Sequence, residues 1–387
     1  MTMATTRRAI LRGGLATAGL GMVGIPEWAL PALAQGERVI QFTDYPANYV
    51  TSRNETSRSL DLRKIDGMFT PRDQFFTTQH MGHPEIDGAA FRLKVTGLVE
   101  KPKSYSLDQL KALGSTEVPA GFECSGNSPR GMQGLSSCGK FTGVPLRKVL
   151  SEAGVKGEAR EIVFFGADHR EEEVDFRGTK YKVDQQFGRS LTREEATAPE
   201  PFIAWNMNGE PLTKAQGFPL RLIVPGWYGV ANVKWLSQIH AQEDVYLGNY
   251  QARWYRTLKG DMVDGEMKWT ETAISRMHLK SVIARVTSES GQIKVLGFVL
   301  NDGTPIKSVE VKVDGGAWQP ATLDPSNTKY SWKLFTYAWK GATSGEHTLV
   351  SRVTDTKGRV QPEAAELANK KSFLEDNSQM IRKVTIT

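Results

Sequence analysis

The sequence predicts an α+β protein of two domains, a mixed domain over residues 35–275 and a β-sandwich over residues 276–387. The first observation is that short helices and strands follow one another without the regular alternation of a βαβ protein. The second is a change at about Ile283, after which short alternating strands recur with turn residues between them. The third is size, because 387 residues that are 39% hydrophobic can form two or three cores.

Residues 1–34 predict an export signal. Arg7 and Arg8 form a twin arginine, a weakly apolar stretch follows, and an Ala-Leu-Ala pattern ends the segment. The uncharged stretch between Arg12 and Glu27 has 14 residues, whereas a membrane-spanning helix needs about 20. We therefore expect a cleaved twin-arginine signal rather than a membrane anchor, a periplasmic location and no membrane span after cleavage.

The first domain contains a small number of regular elements after a polar, irregular stretch. Residues 45–72 form that stretch and predict a surface arm. The expected helices and strands are, in order, a strand at Phe91–Val99, a short helix opened by the capping-box pattern at Ser106–Gln109, a helix at Pro145–Ala153, and buried strands at Glu161–Phe165 and Pro219–Pro225.

The second domain is predicted from strands that alternate apolar and polar residues. Ser308–Gly316 and His347–Asp355 are the clearest of them, and each ends in turn residues. The change in pattern places the domain boundary near residue 275.

Composition and motifs exclude several function classes. The formal charge of +6 is mild and the basic residues form no long runs, so we expect no nucleic-acid partner. The sequence has neither a Gly-rich dinucleotide fingerprint nor a P-loop, and it has no paired C-x-x-C or H-E-x-x-H zinc motif. It also has no C-x-x-C-H, which argues against covalent haem.

One of the two cysteines lies among small polar residues. Cys124 occurs in the stretch GFECSGNS, where its sulfur is open to something other than side chains, so it is a candidate metal ligand or nucleophile. A soft metal held by one thiolate, with an organic cofactor supplying its other ligands, fits this setting. The alternative is a disulfide with Cys138 in an exported binding or structural protein, and the residues alone leave it open.

A set of motifs carries a resemblance to a known family. In order and spacing, the chain resembles the sulfite oxidase family of molybdopterin enzymes at Cys124–Asn127, Thr142–Leu146, Trp205–Leu212, Gly217–Arg221 and Val233–Leu236. Asp314–Trp318 and Val360–Pro362 are similar to that family's C-terminal dimerisation domain. The resemblance implies a mixed α/β molybdopterin-binding domain, then an immunoglobulin-like β-sandwich, and a homodimer.

The resemblance also implies roles for individual residues. Cys124 matches the cysteine that binds molybdenum, and Tyr255 matches the tyrosine near the metal, so both are predicted to be catalytic. The residues predicted to bind the molybdenum–molybdopterin cofactor are Phe76, His80, Cys124, Asp168, Arg221, Asn232, Val233 and Lys234. Arg221 and Lys234 match the cations on the pterin phosphate.

The activity implied by the resemblance is oxidation of sulfite to sulfate by oxo transfer, with no haem in this chain and a separate c-type cytochrome as electron acceptor. The chain departs from the family at Thr78 and Pro129, where sulfite-oxidising members usually carry arginine. Arg130 is then predicted as the catalytic cation, or else Lys370 or Lys371 supplies it. The alternative substrate is another sulfur compound or an S- or N-oxide.

Overall fold

The computed structural model describes residues 37–46, 49, 51–54 and 57–387. The predicted export signal at residues 1–34 lies outside these ranges. No helix in the described part of the chain is both long and apolar enough to cross a membrane.

Strands dominate the described residues, and the α-helices are short. The α-helices are α1 (Leu107–Ala112), α2 (Leu146–Ala153) and α3 (Arg193–Thr197). The strands are β1 (Arg38–Ile40), β2 (Ser52–Asn54), β3 (Ser57–Arg58), β4 (Leu93–Gly97), β5 (Lys103–Tyr105), β6 (Thr116–Glu123), β7 (Ser136–Pro145), β8 (Glu161–Phe176), β9 (Thr179–Thr192), β10 (Phe202–Met207), β11 (Glu210–Pro211), β12 (Arg221–Ile223), β13 (Leu236–Gln242), β14 (Arg256–Val263), β15 (Glu266–Ala273), β16 (Lys280–Glu289), β17 (Gln292–Leu300), β18 (Ile306–Val313), β19 (Gln319–Pro320), β20 (Thr322–Leu323), β21 (Lys333–Trp339), β22 (Gly345–Asp355) and β23 (Ile381–Ile386).

Both helices predicted in the first domain form, and local sequence explains their ends. At the start of α1, the Ser106 hydroxyl accepts from the Gln109 amide while the Gln109 side chain accepts from the Ser106 amide, as the capping box predicts. Helix α2 buries Leu146, Val149 and Leu150 on one face, and Gly154 ends it with a φ of +67°.

Two five-stranded sheets make up the core of the first domain. One has the order β5-β4-β13-β8-β9, and the other has β11-β10-β7-β6 with β12 also paired to β10. In the first sheet β13 runs parallel to β4 and antiparallel to β8. Buried residues from both sheets and from α2, such as Val95, Val144 and Val149, share one hydrophobic cluster. The mixed α+β prediction is confirmed.

The second domain is an immunoglobulin-like sandwich of two sheets. Their strand orders are β1-β16-β17-β21-β20 and β19-β18-β22-β23. Val295 of the first sheet and Val311 of the second lie in the same buried cluster, as the alternation of apolar residues predicts. The first sheet includes residues 38–40, which the sequence analysis assigned to the first domain, and there Arg38 pairs with Ser288.

The prediction of a surface arm at residues 45–72 was wrong. Leu60, Leu62 and Ile65 are buried, and they share a hydrophobic cluster with Val282 and Phe298 of the second domain. These three apolar residues are two and three positions apart among polar ones, and so short a run establishes neither helical nor strand periodicity. The segment instead fills the junction between the two domains.

Two antiparallel ribbons extend further than the sequence indicates. Strand β8 continues past Phe165 and pairs with β9 as far as Phe176. Strands β14 and β15 form a second ribbon that the sequence analysis did not predict. Both ribbons are largely exposed, so they lack the buried face on which strand prediction depends.

Candidate functional site

Most of the predicted site residues line one cavity. It encloses about 810 Å³, including the part that is open to solvent. Of the residues predicted from the sequence, those that line it are Phe76, His80, Cys124, Asp168, Arg221, Asn232, Lys234 and Tyr255. Thr78 also lines the cavity. Residues from distant parts of the first domain therefore meet where the cofactor was expected.

Cys124 lies directly after β6, in a tight loop between β6 and β7. Its amide donates to the carbonyl of Leu135 at 3.0 Å, and its carbonyl accepts from the amide of Asn127 at 2.9 Å. The buried Asn127 side chain closes the loop, because its Nδ2 donates to Ser136 Oγ at 2.9 Å and its Oδ1 accepts from the Leu135 amide at 3.0 Å. The loop therefore presents the cysteine to the cavity in a defined position.

The Cys124 thiol is poorly suited to act as a free nucleophile. Burial raises its pKa to about 11, with a smaller contribution in the same direction from Glu123. The thiol is therefore protonated at neutral pH on its own, and a bound metal cation would favour the thiolate. Cys124 and Cys138 are both free, so the alternative disulfide does not form.

Arg221 is a buried cation at the cavity wall. It lies on β12 with 5% exposure, and its guanidinium packs against Phe122 and Phe141 at 5.2 and 5.7 Å from the ring centroids. Its Nη1 donates to the Gln216 carbonyl at 3.1 Å and its Nη2 to the Asn232 carbonyl at 3.3 Å. Burial lowers the pKa of Arg221 to about 9. Both of these hydrogen-bond partners are neutral carbonyls, so a bound anion would stabilise the buried charge of Arg221.

Lys234 is the second cation of the cavity. Its Nζ donates to Gln79 Oε1 at 2.8 Å and lies 4.4 Å from the ring centroid of Trp235. Burial lowers the pKa of Lys234 to about 7, and the neighbouring charge of Arg221 acts in the same direction. An anion in the cavity would reverse both effects by favouring the charged amine.

Two polar atoms of the cavity support a polar cofactor. Arg221 Nε and Asp168 Oδ1 are buried without a hydrogen-bond partner among the residues that the structure describes. Burial raises the pKa of Asp168 to about 6. An unpaired donor and an unpaired acceptor in one cavity fit a ligand with both acceptor and donor groups, such as a pterin that carries a phosphate.

His80 and Tyr255 form a hydrogen-bonded pair at the cavity. His80 Nε2 and Tyr255 Oη are 2.8 Å apart, and the imidazole stacks on Tyr250 with ring centroids 4.5 Å apart. Burial lowers the pKa of His80, so the imidazole is neutral at pH 7. Burial also raises the pKa of Tyr255 well above its ordinary value. The phenol therefore keeps its proton and can donate a hydrogen bond to the neutral imidazole.

Two other predicted residues, Phe76 and Asn232, have structural contacts. The amide of Phe76 donates to Ser137 Oγ at 3.0 Å, which fixes the segment that leads to His80. The Asn232 side chain accepts from the Val224 amide at 2.7 Å and donates to the Tyr228 carbonyl at 3.2 Å.

The structure does not bring two predicted residues to the cavity. Val233 is buried in the hydrophobic core, and its carbonyl accepts from the Leu222 amide at 2.8 Å, so it does not line the cavity. Arg130 lies in a 3₁₀ turn, Pro129–Gly131, where its side chain is exposed and does not line the cavity either. The turn that follows β6 directs it to solvent.

The sequence analysis missed several lining residues. Gln79 holds Lys234, Phe187 comes from β9, and Gln216 supplies the carbonyl that Arg221 binds. Gln79 and Gln216 flank motifs that the sequence analysis had singled out, so their positions beside His80 and Gly217 were available as a signal. Phe187 had no such signal, because the ribbon that carries it was not predicted.

Comparison with known proteins agrees with this geometry. Residues 80–250 match the family described as oxidoreductase molybdopterin binding domain. The chain is 28% identical to the mitochondrial sulfite oxidase of Mus musculus over 357 residues, which cover 83% of this chain and 63% of the mouse protein. It is 30% identical to the mitochondrial sulfite oxidase of Homo sapiens, covering 77% of this chain and 58% of the human protein. The chain thus spans less than two thirds of these relatives.

A solved structure has the same fold over nearly the whole chain. The sulfane dehydrogenase SoxCD from Paracoccus pantotrophus superposes with a TM-score of 0.71 at 24% sequence identity, covering 96% of both chains. The matched domain, the similarity to sulfite oxidases and the shared fold agree with one another. The chain thus carries an oxidoreductase molybdopterin binding domain over residues 80–250, and over most of its length it is similar to the sulfite oxidases.

Proposed function

We propose that this protein is an exported molybdenum oxidoreductase that oxidises a sulfur compound and passes the electrons to a separate c-type cytochrome. The observation that carries the proposal is that a free thiol, Cys124, lines the same cavity as two cations, the buried Arg221 and the half-buried Lys234. Metal and pterin analysis of the purified protein, followed by reduction with sulfite, tests it. Purified protein with neither molybdenum nor pterin would refute it.

The residues of the cavity divide into those that bind the cofactor and those that face the substrate. A bound molybdenum–molybdopterin supplies two-electron oxygen-atom transfer to sulfur. Cys124 would be the protein's metal ligand, because a thiolate suits a soft metal. Arg221 and Lys234 would neutralise the phosphate, and Asp168 Oδ1 would accept from a pterin N–H.

Tyr255 and His80 would handle protons beside the substrate. Oxidation of sulfite consumes one water and releases two protons and two electrons for each sulfate formed. The Tyr255 hydroxyl oxygen can accept a hydrogen bond from a water in the cavity while its own proton is donated to the neutral His80 imidazole, so the pair can take up a proton from the substrate side. The aromatic rings of Tyr250 and Phe187 beside His80 keep this pair in a partly dry environment.

Sulfite is the substrate that we propose first, although the cavity provides few cations for it. The cationic lining residues, Arg221 and Lys234, are those expected to bind the cofactor phosphate. Lys370 Nζ donates to the carbonyls of Ser372 and Leu374, both at 2.5 Å, and Lys371 Nζ donates to another main-chain carbonyl. The second candidate is therefore a less charged sulfur compound or an S- or N-oxide, favoured by the aromatic lining.

Replacement of Thr78 by arginine tests the substrate. We expect Thr78→Arg to raise kcat/KM for sulfite about tenfold to hundredfold, because a charge-assisted hydrogen bond contributes about 1.5–3 kcal/mol. Steady-state kinetics with sulfite and stopped-flow reduction of the metal centre measure the change. Thr78→Met, which adds similar length without charge, is the control.

The outcomes separate the two candidate substrates. An unchanged kcat/KM in Thr78→Arg, with a wild-type centre that sulfite reduces readily, would mean that another group already supplies the cation. A wild-type centre that sulfite does not reduce would exclude sulfite and leave the less charged sulfur compound.

Anion binding in the empty cavity should depend on pH. The pKa of Lys234 is about 7, so the amine that attracts an anion is charged below this value and neutral above it. We expect the affinity of cofactor-free protein for sulfate, an anion that does not titrate in this range, to fall by up to about tenfold per unit from pH 7 to pH 9. Calorimetric titration measures it, and Lys234→Met should leave only the smaller fall near pH 9 that Arg221, with a pKa of about 9, contributes.

The remaining part of the proposal is that the chain is exported by the twin-arginine route after its cofactor has been inserted. A twin-arginine route carries folded proteins, which suits a chain that must acquire its cofactor in the cytoplasm. We expect replacement of Arg7 and Arg8 by lysine to hold the precursor in the cytoplasm, as measured by fractionation. Normal periplasmic yield of this variant would argue against the route.

We further propose a symmetric dimer, the commonest arrangement of identical chains.

A further inference from the structure

The strand that leads to Cys124 is held by the second domain. Three alternate residues, at positions 121, 123 and 125, each form a hydrogen bond with that domain. The bonds run from the Gly121 amide to the Tyr330 carbonyl (2.7 Å), from Lys280 Nζ to Glu123 Oε1 (2.5 Å) and from the Glu375 amide to the Ser125 carbonyl (2.7 Å). Gly121 permits this close approach, because a Cβ there would lie 2.8 Å from the Trp332 amide nitrogen.

The central bond of the three is an ion pair shielded from solvent. The side chains of Lys280 and Glu123 are 1% and 0% exposed. Lys280 is the first residue of β16, whereas Glu123 is the last residue of β6 and the direct neighbour of Cys124. The pair therefore links the second domain to the residue beside the thiol.

The same carboxylate oxygen also accepts a hydrogen bond from the loop that carries Cys124. Glu123 Oε1 accepts from Asn127 Nδ2 at 3.0 Å as well as from Lys280. Lys280 Nζ is also 3.4 Å from Gln133 Oε1, on the return side of the loop. The Lys280 ammonium group thus orients the Glu123 carboxylate, which in turn accepts the hydrogen bond from Asn127.

We propose that Lys280 is a positioning residue for Cys124, so that the second domain completes the metal site of the first. The inference rests on the proposed function, in which Cys124 binds molybdenum. Lys280 does not line the cavity and acts through Glu123 and Asn127. Groups that orient a metal ligand in this way tune both the affinity and the electronic properties of the metal.

A paired replacement separates positioning from stability. A buried ion pair adds little net stability when both partners are replaced by neutral groups, whereas removal of one partner leaves an uncompensated charge. In the full-length, cofactor-loaded protein, we expect Glu123→Gln with Lys280→Met to keep a Tm near the wild-type value. The sulfur-to-molybdenum charge-transfer absorption should shift, and molybdenum should be lost about tenfold to hundredfold faster.

The matched control is a charge pair in the same domain that does not contact the loop. Arg352 and Glu310 form such a pair at 2.9 Å, and Glu310→Gln with Arg352→Met should leave the absorption and the metal loss unchanged. If the Glu123→Gln, Lys280→Met variant does not fold, Glu123→Gln with Lys280→Gln keeps two polar side chains and leaves no buried charge, and faster metal loss is expected from it too.

The outcomes distinguish this inference from the proposed function. Wild-type absorption and wild-type metal loss in either double variant would overturn the positioning role, while molybdenum in the wild type upholds the function. Wild-type protein without molybdenum would overturn both.

Discussion

Replacement of Cys124 by serine is expected to lower turnover by more than about 100-fold while the pterin stays bound. Cys124 is the only cysteine that lines the cavity within the described residues, and serine offers a harder oxygen donor whose proton is not readily lost. Outer groups that merely orient a metal ligand already contribute about tenfold to hundredfold, so loss of the ligand itself should exceed that. Turnover, molybdenum content and pterin content measure the effect.

Cys138→Ser is the matched control for this variant. Cys138 is fully buried in the cluster that joins the two domains, and it does not line the cavity. We expect it to retain normal turnover once folded. Normal turnover in Cys124→Ser would refute the metal-ligand role, and equal loss in both variants would bring back the disulfide that the structure does not contain.

Removal of either cation of the cavity, the buried Arg221 or the half-buried Lys234, should weaken binding of the cofactor. We expect Arg221→Met and Lys234→Met each to lower cofactor affinity about tenfold to hundredfold, since each removes a charge-assisted contact to the phosphate. Arg221→Lys should restore only part of the affinity, because a single ammonium cannot reproduce the planar guanidinium that contacts Phe122 and Phe141. Pterin fluorescence after denaturation measures the bound fraction.

A buried arginine outside the cavity controls for stability. Arg285 lies in the second domain with 6% exposure and, like Arg221, has a buried Nε without a partner among the described residues. Arg285→Met should therefore leave the pterin content unchanged. Equal loss of pterin in the Arg285 and Arg221 variants would show that folding, rather than phosphate binding, had been measured.

The sequence located most of the cavity because its key residues lie in short motifs with fixed spacing. Cys124, Arg221 and Lys234 each have recognisable neighbours, and each lines the cavity. Arg130 shows the limit of this reasoning, because a turn of three residues decides whether its side chain faces the cavity or the solvent. Spacing along the chain does not carry that information.

The fold was predictable where the signal was local. The capping box at Ser106 and the buried face of α2 indicate helices from a few residues each. The burial of Leu60 and Leu62 depends instead on partners in the second domain, far away in the sequence. The ion pair between Lys280 and Glu123 is equally non-local, and no periodic pattern in the sequence predicts it.

The pairing of β1 with the second domain has a consequence for the order in which the chain assembles during synthesis. Arg38 pairs with Ser288, and Phe42 forms a bridge with Val384 in the last described strand. The ribosome makes the first partner of each pair long before the second. The mixed core can close early, whereas the segment around Phe42 must wait until β23 has emerged. Docking of this early segment onto its late partners is then expected only after the rest of the chain has been made.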